Sequence, residues 1–159
     1  MKYLCLLFLA SVLVSCGSSR KSAYTPSRKS TSSVRVSTSK VVNDARTLVR
    51  KPYRYGGESP NGFDCSGFVK YVYAKHGVQL PRRSADQARY GKSVAIREAR
   101  PGDLIFFKSS GRVNHVGIVT ATGGKFPSMI HSSSSKGVIE EDLDTSEYWR
   151  KRYAYIRRL

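Results

Sequence analysis

The sequence predicts an α+β domain in which N-terminal helices pack on a central antiparallel β-sheet. Two observations predict it. Apolar residues recur at helical spacing between residues 41 and 76, and from residue 103 the texture changes to short β-rich runs separated by turn residues. Helices first and strands afterwards, without βαβ alternation, argue for segregated layers rather than a parallel sheet.

Ahead of that domain the 159-residue chain carries material of another kind. Residues 1–15 open "MKYLCLLFLASVLVSC", with one lysine, an apolar run and a small residue before Cys16. The run is too short for a membrane span and fits an export signal. Its end, "LVSC", resembles a bacterial lipobox, which would make Cys16 the lipidated first residue of the mature protein and its membrane anchor. Ordinary signal cleavage near Ser15, giving a soluble secreted protein, is the alternative. "GSS" after Cys16 lacks a retention-type aspartate, so the expected location is the cell envelope, on the periplasmic face of an outer membrane where there is one. Residues 16–40 are rich in Ser, Thr, Lys and Arg and contain no acid. They read as a flexible basic tether. The domain is expected over residues 41–159.

Its elements follow in order. Val41, Val42, Ala45, Leu48 and Val49 repeat at helical spacing, and Pro52 ends the pattern. "YGGESPNGF" is a loop by its Gly, Pro and Asn content. A second helix is expected from about Cys65 to His76, with Phe68, Val69, Val72 and Tyr73 on one face and Gly77 as its stop. "SADQARYG" offers one or two more turns. "DLIFFK" (103–108), "HVGIVTA" (115–121) and "SMIHS" (128–132) read as strands, with a turn at Gly123-Gly124, and "RYAYIRR" as a half-exposed final strand.

Counting cysteines narrows their chemistry. Cys5 would leave with the signal and Cys16 would carry lipid, so Cys65 is the one thiol of the mature domain. An intramolecular disulfide is then excluded, although an exported location would permit one. A core thiol, a metal ligand and a nucleophile stay open. The net charge of +17 invites a nucleic-acid reading, which export argues against. A basic surface facing anionic lipid or acidic wall polymer fits better, and a solubilising charge without a specific partner fits equally well.

A nucleophilic Cys65 needs help, because the thiolate is the reactive species. A helix N-terminus favours negative charge, by about 2 kcal/mol at most, and Asp64 next door opposes it. A basic partner is required. His76, at the far end of the same helix, is roughly 16 Å away at the usual rise and reads as a surface residue. His115 opens the apolar strand "NHVGIV", and His131 sits in the next strand. A hairpin centred on Gly123 makes the two direct neighbours, whereas a strict two-residue loop at Gly123-Gly124 puts them on opposite faces. A bulge or odd-length loop is therefore needed, and Pro127 makes irregularity there plausible. Cys65 would then attack a carbonyl, His115 would take the thiol proton, and His131 would orient His115. The Cys65 N–H would serve as an oxyanion donor.

The segments "PYRYGG", "NGFDCSGFVKYVY", "LPRRSADQ", "RPGDLIFF", "NHVGIV" and "MIHSSSSKGV" stand in the order that they hold in the NlpC/p60 family of papain-like cell-wall cysteine peptidases, and the chain from about residue 41 resembles that family. The resemblance implies a papain-like fold, with Cys65 as nucleophile, His115 as general base and His131 as third polar residue. It also implies that Tyr53, Asp64 and Ser66 bind substrate. The implied activity is hydrolysis of an amide in peptidoglycan stem peptides or cross-links, either the γ-D-glutamyl bond to the diamino acid or the D-alanyl cross-link. No cofactor, metal or nucleic acid is expected, and a monomer is. The stretch between the two histidines is a few residues longer than usual in the family, so the hairpin tip is expected to reach further over the cleft.

Two other classes compete. An inactive anchored module would hold wall peptide without cutting it. A zinc hydrolase would use Cys65, His115 and His131 as ligands, without any compact zinc spacing to support it.

Overall fold

The computed structural model describes residues 37–159. The expected signal segment, Cys16 and the tether up to residue 36 lie outside the described residues. The first helix, α1 (Thr38–Arg46), begins a little earlier than expected, so the last residues assigned to the tether are helical. Val41, Val42 and Ala45 are its buried face.

Two short strands follow, β1 (Glu58–Ser59) and β2 (Gly62–Phe63), paired across the "PN" turn. The central helix α2 (Cys65–Ala74) buries Phe68, Val69, Val72 and Tyr73, the stripe that the spacing predicts. It closes before His76, which is not a loose surface residue: its ring is largely buried, with Nε2 3.0 Å from an Asp44 oxygen. A single-turn helix, α3 (Ser84–Gln87), leads into β3 (Lys92–Val94).

The sheet then assembles from β4 (Leu104–Ser109), β5 (Arg112–Ala121), β6 (Ser128–Ser133) and β7 (Gly137–Asp142), closed by α4 (Glu147–Arg152) and β8 (Tyr153–Arg158). Its strand order is β3-β8-β4-β5-β6-β7, and every neighbouring pair is antiparallel. β4, β5, β6 and β8 match the runs expected as strands, whereas β1 and β2 lie in the segment expected as a loop and β3, β7 and α4 were not expected.

Both faces of the sheet are covered, which explains why "LIFF" in β4 is uniformly apolar rather than alternating. Leu104 and Phe106 join α1, α2 and Phe63 in one apolar cluster. Ile105 and Phe107 join Val119, Met129, Leu143 and Ile156 in a second. All four residues of "LIFF" are buried to within 1% of full exclusion. At roughly 1.5–3 kcal/mol for each fully buried large apolar side chain, this strand is the spine on which the site is mounted.

Candidate active site

The first turn of α2 is built to hold Cys65 still. Asp64 is its N-cap and accepts from the Gly67 N–H at 2.7 Å and from the Gly56 N–H at 3.1 Å. Gly67 is required by packing, since a Cβ there would sit 2.0 Å from the Gly57 carbonyl oxygen. Gln87, fully buried, donates to the carbonyls of Ser66 and Pro81, both at 2.9 Å. The "LPRRSADQ" segment thus clamps the turn that presents the thiol. Arg82 adds a second clamp, an ion pair with Asp64 and a 2.6 Å contact to Glu58.

These contacts redefine what Asp64 offers to a ligand. Its oxygens already accept from Gly56, Gly67, Ser66 and Arg82. Burial alone would raise its pKa, but Arg82 and the two backbone donors outweigh that and hold it below the usual carboxylate range. A bound Asp64–Arg82 pair, with the Ser66 hydroxyl 3.1 Å from Arg82, therefore faces the neighbouring cavity in place of a bare carboxylate.

His115 reaches the site through a bulge. The β4–β5 register shifts between Phe107↔His115 and Lys108↔Val113, which leaves Asn114 as the extra residue. The Asn114 carbonyl lies 3.9 Å from Cys65 Sγ and accepts from the thiol. Cys65 and His115 line one cleft of about 520 Å³ with Tyr53 and Asn114.

His115 and His131 are not directly opposite. Pairs Ile118↔Ile130 and Val119↔Met129 fix the β5–β6 register, and continuing it sets Gly117 against His131. His115 therefore lies two residues along, on the same face and on the diagonal, within side-chain reach. The irregularity that this parity needs is present between Val119 and Ala121. Gly117 makes the arrangement possible, because a Cβ there would stand 3.2 Å from His131 Cβ and 2.8 Å from Met129 Sδ. The hairpin tip does not reach over the cleft. Phe126 N–H is tied to Asp144 at 2.8 Å, and residues 122–127 line neither cavity beside Cys65.

A polar chain runs diagonally across three strands. His115 Nε2 is 2.8 Å from His131 Nδ1, and His131 Nε2 is 2.9 Å from Glu141 Oε2. Trp149 Nε1 donates to the same Glu141 oxygen at 2.8 Å, and its indole stacks on His115 with centroids 4.6 Å apart and planes 25° apart. Glu141 and Trp149 escaped sequence reading because their elements did. The His131 bond, with help from Trp149, outweighs burial and pulls the Glu141 carboxyl down to about 2.

An ionised Glu141 only accepts hydrogen bonds, and that fixes both histidine tautomers. His131 must carry its proton on Nε2 and accept at Nδ1. His115 must then carry its proton on Nε2, leaving the Nδ1 lone pair to act as a base. Both His131 nitrogens are engaged, so neither is left to ligate a metal beside Cys65. Burial, with a further push from His131 and partial opposition from Glu141, lowers His115 to about 3. Burial and the Asp64 charge raise the Cys65 thiol. The resting pair is therefore a neutral thiol and a neutral imidazole, suited to proton transfer during attack rather than to a standing ion pair.

A thiol at a helix start beside a strand-borne histidine, in a helix-plus-antiparallel-sheet domain, defines the class of cysteine peptidases. The chain belongs to the NlpC/P60 family, whose sequence model matches residues 50–158. It is 38% identical over 159 residues to the Probable endopeptidase NlpC of Escherichia coli (strain K12), covering 98% of each chain. It is 39% identical over 120 residues to the Gamma-DL-glutamyl hydrolase of Bacillus subtilis (strain 168), covering 75% of this chain but only 29% of that one. A crystal structure of an NlpC/P60 family protein from Bacillus cereus superposes with a TM-score of 0.70 at 34% identity, over 76% of this chain and 39% of that one.

Proposed function

We propose that this protein is a peptidoglycan endopeptidase that hydrolyses amide bonds of wall stem peptides or cross-links through Cys65, His115 and His131. The observation that carries the reading is the oriented chain Glu141–His131–His115 ending in the cleft that Cys65 lines. Cys65 Sγ attacks the amide carbonyl carbon while its proton passes to His115 Nδ1. The Cys65 N–H, left unpaired at the first helical position, donates to the oxyanion. His115 then delivers the proton to the departing amine, and the acyl group stays on sulfur as a thioester. Water, deprotonated by the same nitrogen, attacks the thioester carbon, and the thiol is regenerated as the acid leaves. His131 and Glu141 stabilise the imidazolium that forms midway.

Asp64 and Ser66 line the second cavity beside Cys65, Tyr53 borders both cavities, and all three serve as substrate contacts, Asp64 through its pair with Arg82. The leader "MKYLCLLFLASVLVSC" supports lipid anchoring through Cys16 and an envelope location for the full chain.

The test is digestion of purified peptidoglycan with the full chain and mass spectrometry of the muropeptides. New amine and carboxyl termini identify the bond. Cys65→Ser and His115→Ala are each expected to abolish cleavage while circular dichroism stays unchanged. Substantial cleavage by either folded variant would exclude the mechanism. Wall binding without cleavage by the wild type would favour the inactive binding module.

A further inference from the structure

Cys65 stands at the junction of two cavities, and only one of them includes His115. This asymmetry orients the substrate, on the proposed hydrolase reading. The group that protonates the departing amine must face it, so the amine side of the scissile bond lies in the His115 cleft. The acyl side then lies in the cavity walled by Asp64, Ser66 and Arg82.

The amine-side cleft is cationic. Its one carboxylate, Glu141, already accepts from His131 and Trp149 and has Lys136 Nζ at 3.8 Å. Arg152, at the end of α4, lines the same cleft. Its guanidinium lies over the Tyr148 ring, 3.8 Å from the centroid, and Nη1 donates to the Tyr148 carbonyl at 3.2 Å. Among the described residues no carboxylate pairs with it, and it is the one arginine that lines this cleft. The ring beneath it and the bond from Nη1 leave other N–H groups of the guanidinium for a ligand, and a guanidinium suits a planar oxyanion. Ser134, Ser135 and Ser146 line the cleft beside it and add hydroxyl donors without adding negative charge.

We propose that Arg152 forms a leaving-side subsite for a free carboxylate of the diamino acid whose amine departs. Both candidate bonds release such a residue: the γ-D-glutamyl bond through one of its amines and the cross-link through the other. The subsite therefore selects stems whose diamino acid carries a free carboxylate over stems in which that carboxylate is amidated or absent.

The experiment uses the full chain and three muropeptide mixtures, each of monomers and cross-linked dimers. In one the diamino acid is dicarboxylic with its side-chain carboxylate free, in the second that carboxylate is amidated, and in the third the diamino acid is lysine, which has no side-chain carboxylate. The wild type is expected to prefer the free carboxylate over both others by about tenfold or more in kcat/KM, as a charge-assisted hydrogen bond predicts. Arg152→Gln should lose that preference and cleave all three at the slower rate, and Arg152→Lys should restore part of it. A preference kept intact in Arg152→Gln, or no preference in the wild type, overturns the subsite and leaves the hydrolase reading standing. A wild type that cleaves none of the mixtures overturns both.

Discussion

His115 and His131 meet on the diagonal of the β5–β6 ladder, with Nε2 and Nδ1 2.8 Å apart. His131 is fully buried and touches Glu141 with its other nitrogen. It therefore acts on catalysis only through His115. His131→Ala is expected to lower kcat by about 10²–10³-fold, less than the loss in His115→Ala, with KM for muropeptides little changed. Steady-state kinetics on a defined muropeptide would check this. A His131→Ala variant as fast as wild type would mean that packing against Trp149 alone orients His115.

Glu141→Gln tests the far end of the chain. Glutamine keeps the size and can still accept from Trp149, but it removes the charge that stabilises the imidazolium and leaves the tautomers of both histidines unfixed. A fall in kcat of about tenfold is expected, again with KM nearly constant, and Glu141→Asp should recover part of it. Equal rates for Glu141→Gln and wild type would limit the chain to His131.

Cys65, His115 and His131 stood out as candidates in the sequence because each sits in a strong local pattern. Cys65 begins an amphipathic helix, and His115 and His131 enter apolar strands. Strand parity required a bulge or an odd-length loop, and an irregularity is present, but the register could not be read, because Gly123-Gly124 suggests a two-residue turn whereas the connection spans residues 122–127. Glu141 was illegible for a related reason. In "GVIEED" only Val138 is a fully buried apolar side chain, and an edge strand ending in acids resembles a loop. Trp149 lies on a one-and-a-half-turn helix, too short for periodicity to show. Arg82 was visible as a motif residue, but its partners Glu58 in β1 and Asp64 at the N-cap of α2 are ones that no local pattern connects to it.

Acid should destabilise the domain through His115. Its pKa is pushed from the usual 6.5 to about 3, so between these values the unfolded chain binds a proton that the native state excludes. Stability is then full above pH 6.5 and falls as pH drops through that window. Glu141, pulled from 4.5 to about 2, adds to the loss only below pH 4.5. Urea denaturation at pH 7, 5.5 and 4.5 should show a decline that is shallower in His115→Gln. Parallel slopes for the two proteins would place the imidazole in a wetter setting than its burial implies.

Gly117 carries a prediction that no catalytic side chain shares. It stands opposite His131, and an added methyl would meet Met129 Sδ at 2.8 Å and both His131 Cβ and the Ile130 carbonyl oxygen at 3.2 Å. The thioether can swing aside, but the ladder carbonyl and the Cβ of a buried residue move only with the strand. Gly117→Ala should therefore cost about 1–3 kcal/mol of stability, as overpacking does. It should also push His131 off the line between His115 and Glu141. The melting temperature and kcat are expected to fall together. A Gly117→Ala protein that is destabilised but turns over normally would show that the histidine chain tolerates a shift of several tenths of an ångström, and would remove the close fit across β5 and β6 from the requirements of the site.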